Sequence, residues 1–208
     1  MINIEKLDHL FKEQIDDMDI CFFSFDNNDE DIAKFSTEEL GKINLLKAIS
    51  KELPYKMESQ ELNLIRNQIK GNLLIEQEFL GSKYNASSNC LYLEGKQKGY
   101  QSNYFSSPYF EKSEYIESID TVNQSHYSCT FLDWYTVNGS LRMTNKEINS
   151  VFLETKYHLL DQENPIIHKW EEKWLHHFDD YKNVDACSWT LFYPKSKITI
   201  VLLIIPYL

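Results

Sequence analysis

The sequence predicts an α+β fold, a single domain with a mainly antiparallel sheet and amphipathic helices packed against it. Three observations carry this. Stretches with helical hydrophobic spacing and strand-like stretches are mixed without the regular alternation of a βαβ series. Asn138-Gly139, the preferred pair for a two-residue type I′ turn, sits between two strand-like runs in "TFLDWYTVNGSLRMT". The run "ITIVLLII" at 198–205 has the composition of a central strand covered on both faces. At 208 residues the chain suits one domain, with an acidic, helical N-terminal third over 1–70 and a sheet-rich remainder over 71–208.

Taken in order, Ile4, Leu7, Leu10, Phe11, Ile15 and Met18 fall at helical spacing and predict a helix over 3–17. "DICFFSF" follows as a strand. After the acidic loop "DNNDED", Ser36 and Glu39 have capping-box spacing and open a helix that Pro54 stops. Another helix spans about 59–70, with Gly71 as its stop and a strand after it, although the apolar spacing would also tolerate a helix continued to Gly81.

From Tyr84 to Tyr127 short apolar pieces alternate with Tyr, Ser, Asn and Gly, the texture of loops and short strands. The Asn138-Gly139 hairpin would direct Leu132, Trp134, Leu141 and Met143 to the core. Thr144 and Glu147 form a second capping-box pair before a helix to about Leu160. Asn164-Pro165 has the form of an N-cap followed by proline at the first helical position and predicts a helix through "HKWEEKWLHHFDDY". "WTLFY", the turn "PKSK" and "ITIVLLII" close the chain as a hairpin.

Composition bounds the function. With 42% hydrophobic and 25% charged residues the chain has the balance of a folded globule and not of a disordered one. A net charge of -11 would repel nucleic acid and anionic lipid, so neither nucleic acid nor membrane is expected as a partner. Residues 1–61 hold 15 acids against 7 bases, or -8, so a basic protein partner would feel that third most. The apolar run at 198–205 is far shorter than the ~20 residues of a membrane helix. Four scattered cysteines with no CxxC pair suit reduced thiols and a cytoplasmic location, and "MINIEKLDHLFKEQIDD" lacks the apolar core of a secretory signal.

Catalytic spellings are scarce. No P-loop, GxGxxG or GxSxG occurs among only six glycines, and no cofactor is expected. His126 lies three residues before Cys129, a spacing that does not by itself make a catalytic pair. The loop starting at Asn27 matches a calcium loop at Asp29, Asp31 and Glu38, but Ile32 stands where the turn needs glycine. On a helix advancing about 100° per residue, His168, Glu172 and His176 stack opposite the stripe of Ile167, Trp170, Trp174 and Phe178. That spacing could hold zinc, but a solvated polar face explains it without further assumption.

The expectation is an acidic cytoplasmic protein-binding protein, of the inhibitor or immunity type, that masks a basic partner such as a nuclease toxin. Asp26, Asp29, Glu30, Asp31 and Glu38 would supply electrostatic attraction, and Tyr104, Tyr109 and Tyr115 of the Tyr-rich stretch the aromatic anchors. The alternative is an enzyme using His168, Glu172 and His176 as a metal site, or a small-ligand-binding domain lined by tyrosines. Charge and composition leave oligomeric state open.

Overall fold

A computed structural model describes residues 5, 7, 18–52, 59–81, 84–86, 90–91, 145–171 and 187–206. Within these, the chain forms two compact units, one built from 1–74 with 159–208 and the other from 75–158.

The first unit is organised by a five-stranded sheet. In chain order its elements are β1 (Met18–Asp26), α1 (Asp29–Lys34), α2 (Thr37–Glu52), α3 (Ser59–Gln68) and β2 (Gly71–Leu74), and in the second unit α4 (Glu76–Leu80), β3 (Tyr84–Asn85), β4 (Cys90–Leu91) and α5 (Asn145–Lys156). A wider turn follows at Tyr157–Asp161, and the first unit is then completed by β5 (Ile166–Trp170), β6 (Cys187–Tyr193) and β7 (Ile198–Pro206). The strand order is β1-β7-β6-β5-β2, and each neighbouring pair is antiparallel. The α+β class with an antiparallel sheet is therefore the observed one.

β6 and β7 are the most hydrophobic segments and occupy inner positions of the sheet. Every residue of β6 is buried, and so are Thr199 to Ile204 of β7, so both faces of these strands are covered. Register sorts the side chains: Cys21, Phe23 and Phe25 of β1 stand opposite Leu203, Val201 and Thr199, which face Ser188, Thr190 and Phe192 of β6. This face carries the core, where Leu45, Leu46, Ala48 and Ile49 of α2 meet Ile65, Ile69, Trp170, Val201 and Leu203. Phe22, Trp189, Leu191, Tyr193, Ile200 and Leu202 are buried on the other face, where the Tyr193 hydroxyl donates to the Leu159 carbonyl at 2.7 Å. Burial pushes the Tyr193 pKa upward, so this phenol keeps its proton and remains a donor.

α2 lies unusually close to the sheet because Gly41 meets it. A Cβ there would fall 2.6 Å from Thr190 Oγ1 and 2.9 Å from Trp170 Cζ2. The Trp170 indole N–H donates to Thr190 Oγ1 at 3.1 Å, and Gly71 on β2 leaves room for the same ring. The cap of α2 matches the expected Ser36 role, with the Glu39 amide donating to Ser36 Oγ at 3.2 Å. The return half of the box is diverted, since Glu39 accepts from Arg66 of α3 at 3.0 Å through Nε and also from its Nη2. This carboxylate joins two helices.

In the second unit Phe79, Leu80 and Phe152 are buried, β3 pairs with β4, and Lys156 approaches Glu76 at 3.7 Å. Glu5 and Leu7 have helical backbone and Leu7 is fully buried, while the rest of the helix expected over 3–17 lies outside the described residues. The strand of 18–26, the Gly71 stop with a strand after it, and the closing hairpin are all present. The Asn138-Gly139 hairpin lies outside the described residues.

One expectation is overturned. Residues 166–170 are a strand, paired with β2 and β6, and not the opening of a helix. Pro165 fits the entry of a strand as well as the first turn of a helix. Burial on both faces removed the alternation that would have marked a strand, leaving Ile167 and Trp170 at a spacing that imitates a helix.

The β6–β7 turn is held by Glu163. Its carboxylate accepts from the Lys195 amide and the Ser196 hydroxyl, each at 2.6 Å. Burial raises the Glu163 pKa, but the Ser196 hydroxyl, the Lys195 and Ser196 amides and the Lys195 charge outweigh it and leave a net lowering. A depressed carboxylate contributes stability that is present above its ordinary pKa and is lost as pH falls through the folded value. In acid denaturation, E163Q should therefore be less stable than the parent at neutral pH, with the gap closing below the ordinary carboxylate range of about 4.5. G41A should lower the urea midpoint by an amount equivalent to about 1–3 kcal/mol, the cost of overpacking, even though alanine is the better helix former.

Candidate functional site

Among the described residues, acidic side chains gather at the junction of β1 and α1. Asp26 ends β1 and is exposed; Asn28 then caps α1, its Oδ1 accepting from the Asp31 amide at 2.7 Å. Asp29, Glu30 and Asp31 fill the first turn of α1, where the helix dipole favours negative charge. α1 has no buried residue at all. Asp29 and Glu30 are exposed and Asp31 half-buried. Ile32 is half-buried, so packing contributes little to this helix and its position is set largely from its ends.

The N-terminal anchor is Asn27, a buried asparagine between two exposed residues. Its amide Nδ2 donates to Thr199 Oγ1 at 2.9 Å, to the Lys197 carbonyl at 3.2 Å and to the Phe25 carbonyl at 3.4 Å. Its Oδ1 accepts from Asn44 Nδ2 of α2 at 2.9 Å, and Asn44 Oδ1 accepts from Lys47 at 3.3 Å. The Asn27 backbone N–H also donates to the Lys197 carbonyl, at 2.8 Å. Lys197 holds a left-handed backbone, φ 57°, and sends its ammonium to Asp29 at 2.6 Å. With side-chain exposures of 49% and 82%, that ion pair contributes at most about 1 kcal/mol.

These contacts dispose of the calcium-loop likeness. Asn27, its first ligand position, turns inward and has its carbonyl oxygen occupied by Asn44, while Asp29 and Asp31 lie in a helical turn. Glu38, in the first turn of α2, is exposed. Of the eight residues expected to meet a partner, the structure thus assembles Asp26, Asp29, Glu30 and Asp31 on one short segment and places Glu38 on the next helix. Tyr104, Tyr109 and Tyr115 lie outside the described residues.

His168, the first member of the alternative metal set, is corrected in two respects. Its backbone is extended, so no i, i+4, i+8 stack starts from it, and its side chain is 5% exposed and not part of a solvated face. It stands opposite Thr190 of β6 and Leu73 of β2, with its ring 6.0 Å from that of Trp170 at an interplanar angle of 30°. Burial pulls its pKa down, and the negative charge of Glu38 partly offsets this. Glu172 and His176 lie outside the described residues, as do His126 and Cys129. Among the described residues no three His, Cys, Asp or Glu side chains gather as a metal-binding set. Cys21 is half-buried and Cys187 buried.

Sequence reasoning missed the Asn27–Asn44–Thr199 lock. The signal for it was Asn44, a polar residue on the inward stripe of Leu40, Gly41, Leu45 and Ala48. A buried amide demands partners, and β1 delivers one at Asn27.

Compared with known proteins, the chain matches no family model, no curated protein and no solved structure. No described helix is long and apolar enough to cross a membrane.

The lock makes a specific demand. Asn27→Ala should cost about 1–3 kcal/mol, since it strands buried groups of Asn44 and Thr199. Asn27→Asp, which keeps the acceptor for Asn44 but loses both donors, should also destabilise. Hydrogen exchange should show the Ile32 and Phe35 amides, which close α1 on Asn28 and Asp31, losing protection in both variants.

Proposed function

We propose that this chain is a cytoplasmic, acidic protein-binding protein whose β1–α1 segment engages a basic protein partner, as an inhibitor or immunity-type protein would engage a nuclease toxin. The observation that carries the reading is the construction of α1: three acids in its first turn, Asp29 and Glu30 of them exposed, in a helix without a fully buried side chain, held at its base by a buried asparagine lock. A rigid scaffold presenting an exposed loop is the common arrangement of binding residues.

Electrostatics gives the reading its mechanism. Carboxylates fixed in place attract a cationic surface over about 8–10 Å at moderate salt and accelerate encounter more than they slow escape. The chain's net charge of -11 works in the same direction over longer distances at low salt.

The test is a triple charge reversal, D29K/E30K/D31K. Affinity capture from the source cells, followed by binding kinetics with the captured protein, should give an association rate at least about tenfold slower and a flatter dependence on salt, with dissociation little changed. A captured partner that is not basic, or an unaltered association rate in a correctly folded variant, would refute the proposal.

A further inference from the structure

His168 is a titratable side chain placed where charge is expensive. It sits within β5, nearly excluded from solvent, on the same face of the sheet as Trp170 two residues later. That face carries α2: Gly41 abuts both Trp170 and Thr190, and Glu38 precedes Gly41 by about one helical turn. Among the described residues, α2 thus packs at Gly41 on Thr190, the cross-strand partner of His168, and its first turn lies just ahead of that contact. The cross-strand neighbours of His168, Thr190 and Leu73, carry no charge. On α2, Glu39 is engaged by Arg66 and lies 3.9 Å from Lys42, and among the described residues Glu38 is the charged group acting on the imidazole.

We propose that His168 is a pH-sensitive joint between sheet and helix, and that its protonation loosens the first turn of α2 together with the acidic turn that precedes it. A neutral imidazole suits this place, being flat, stacked on Trp170 and near the positive end of the α2 dipole. An imidazolium would lose its hydration and gain only the attraction of Glu38, an exposed carboxylate screened by water. The cheapest way to rehydrate the ring is to lift the segment above it.

The direction follows from linkage. Burial first, with Glu38 opposing it, sets the folded pKa below the ordinary 6.5, so the unfolded or opened chain takes up the proton sooner. The stabilising contribution is complete above 6.5 and is lost as pH falls from there toward the folded value. Mild acidification therefore weakens the seat of α2. That this would also release a partner rests on the function proposed above; the joint itself does not.

The experiment uses the full chain without a partner, so its failure is distinct from failure of the binding proposal. The His168 ring is titrated by proton NMR while exchange of the Leu40 amide, bonded to the Ser36 carbonyl at 2.9 Å, is followed from about pH 7 to about pH 5.5 after correction for the intrinsic rate. Protection of Leu40 should fall at least about fivefold with the His168 titration, H168Q should abolish the pH dependence, and E38Q should move the midpoint to lower pH. Should H168Q fail to fold, the E38Q shift still decides. Constant protection in the parent chain, a decline that persists in H168Q, or a midpoint unmoved in E38Q would overturn the joint.

Discussion

The first unit depends on one close contact, the meeting of α2 with the Trp170 ring across Gly41. An indole is a wide, flat group, and a helix bearing ordinary side chains at that position would be held away from it. With hydrogen at Gly41 and at Gly71, the ring is enclosed by backbone and its N–H reaches Thr190. The contact allows Leu45, Ala48 and Ile49 to reach the sheet beside Val201 and Leu203 in the same core. Dispersion forces in such a core are individually small and fall off within an ångström, so the depth at which α2 seats decides how much of the remaining packing is realised.

α2 is fixed a second time, one turn further along, by Asn44. The two constraints differ in kind: Gly41 permits approach, whereas Asn44 demands a partner and finds it in Asn27. Because Asn27 also binds the Lys197 carbonyl and Thr199, the end of β1, the start of β7 and the middle of α2 meet at one amide. α1 hangs from this point. Its exposed acids Asp29 and Glu30 can afterwards be chosen for charge and helix-dipole compatibility, since no side chain of α1 is fully buried.

How much of this was legible can be seen residue by residue. The strands of 18–26 and 198–206 and the helix after Ser36 followed from runs, caps and breakers, because each depends on local chemistry. The stop at Gly71 was legible too, but its cause was not: the glycine also makes room for the Trp170 ring, a contact about 100 residues distant along the chain. β5 was misread because a strand buried on both faces has no polar alternation, and Ile167 and Trp170 then imitate a helical stripe. That error propagated to the site, placing a buried strand histidine on a solvated polar face. The acidic segment was legible as a charged loop ahead of a capped helix, whereas the lock beneath it was not, since Asn27 to Thr199 is a pairing across 172 positions that no local pattern encodes.

The polar groups of this core also answer a problem created by its own hydrophobicity. In a sheet with one wet face, slipping a strand by one residue exposes apolar side chains, and burial alone specifies register. β6 and β7 are buried on both faces, so a slip between them exchanges one apolar set for another at little cost. Polar groups break that degeneracy. Thr199 must meet Asn27, Thr190 must meet the Trp170 indole, and a one-residue slip would carry either hydroxyl to the opposite face and leave its partner unsatisfied in the interior. The hairpin end adds its own constraint, with Glu163 holding the turn amide of Lys195 and Lys197 accepting a left-handed conformation. Hydrophobic burial supplies most of the energy of this sheet, while a few satisfied polar pairs choose among the alignments that burial alone leaves nearly equal.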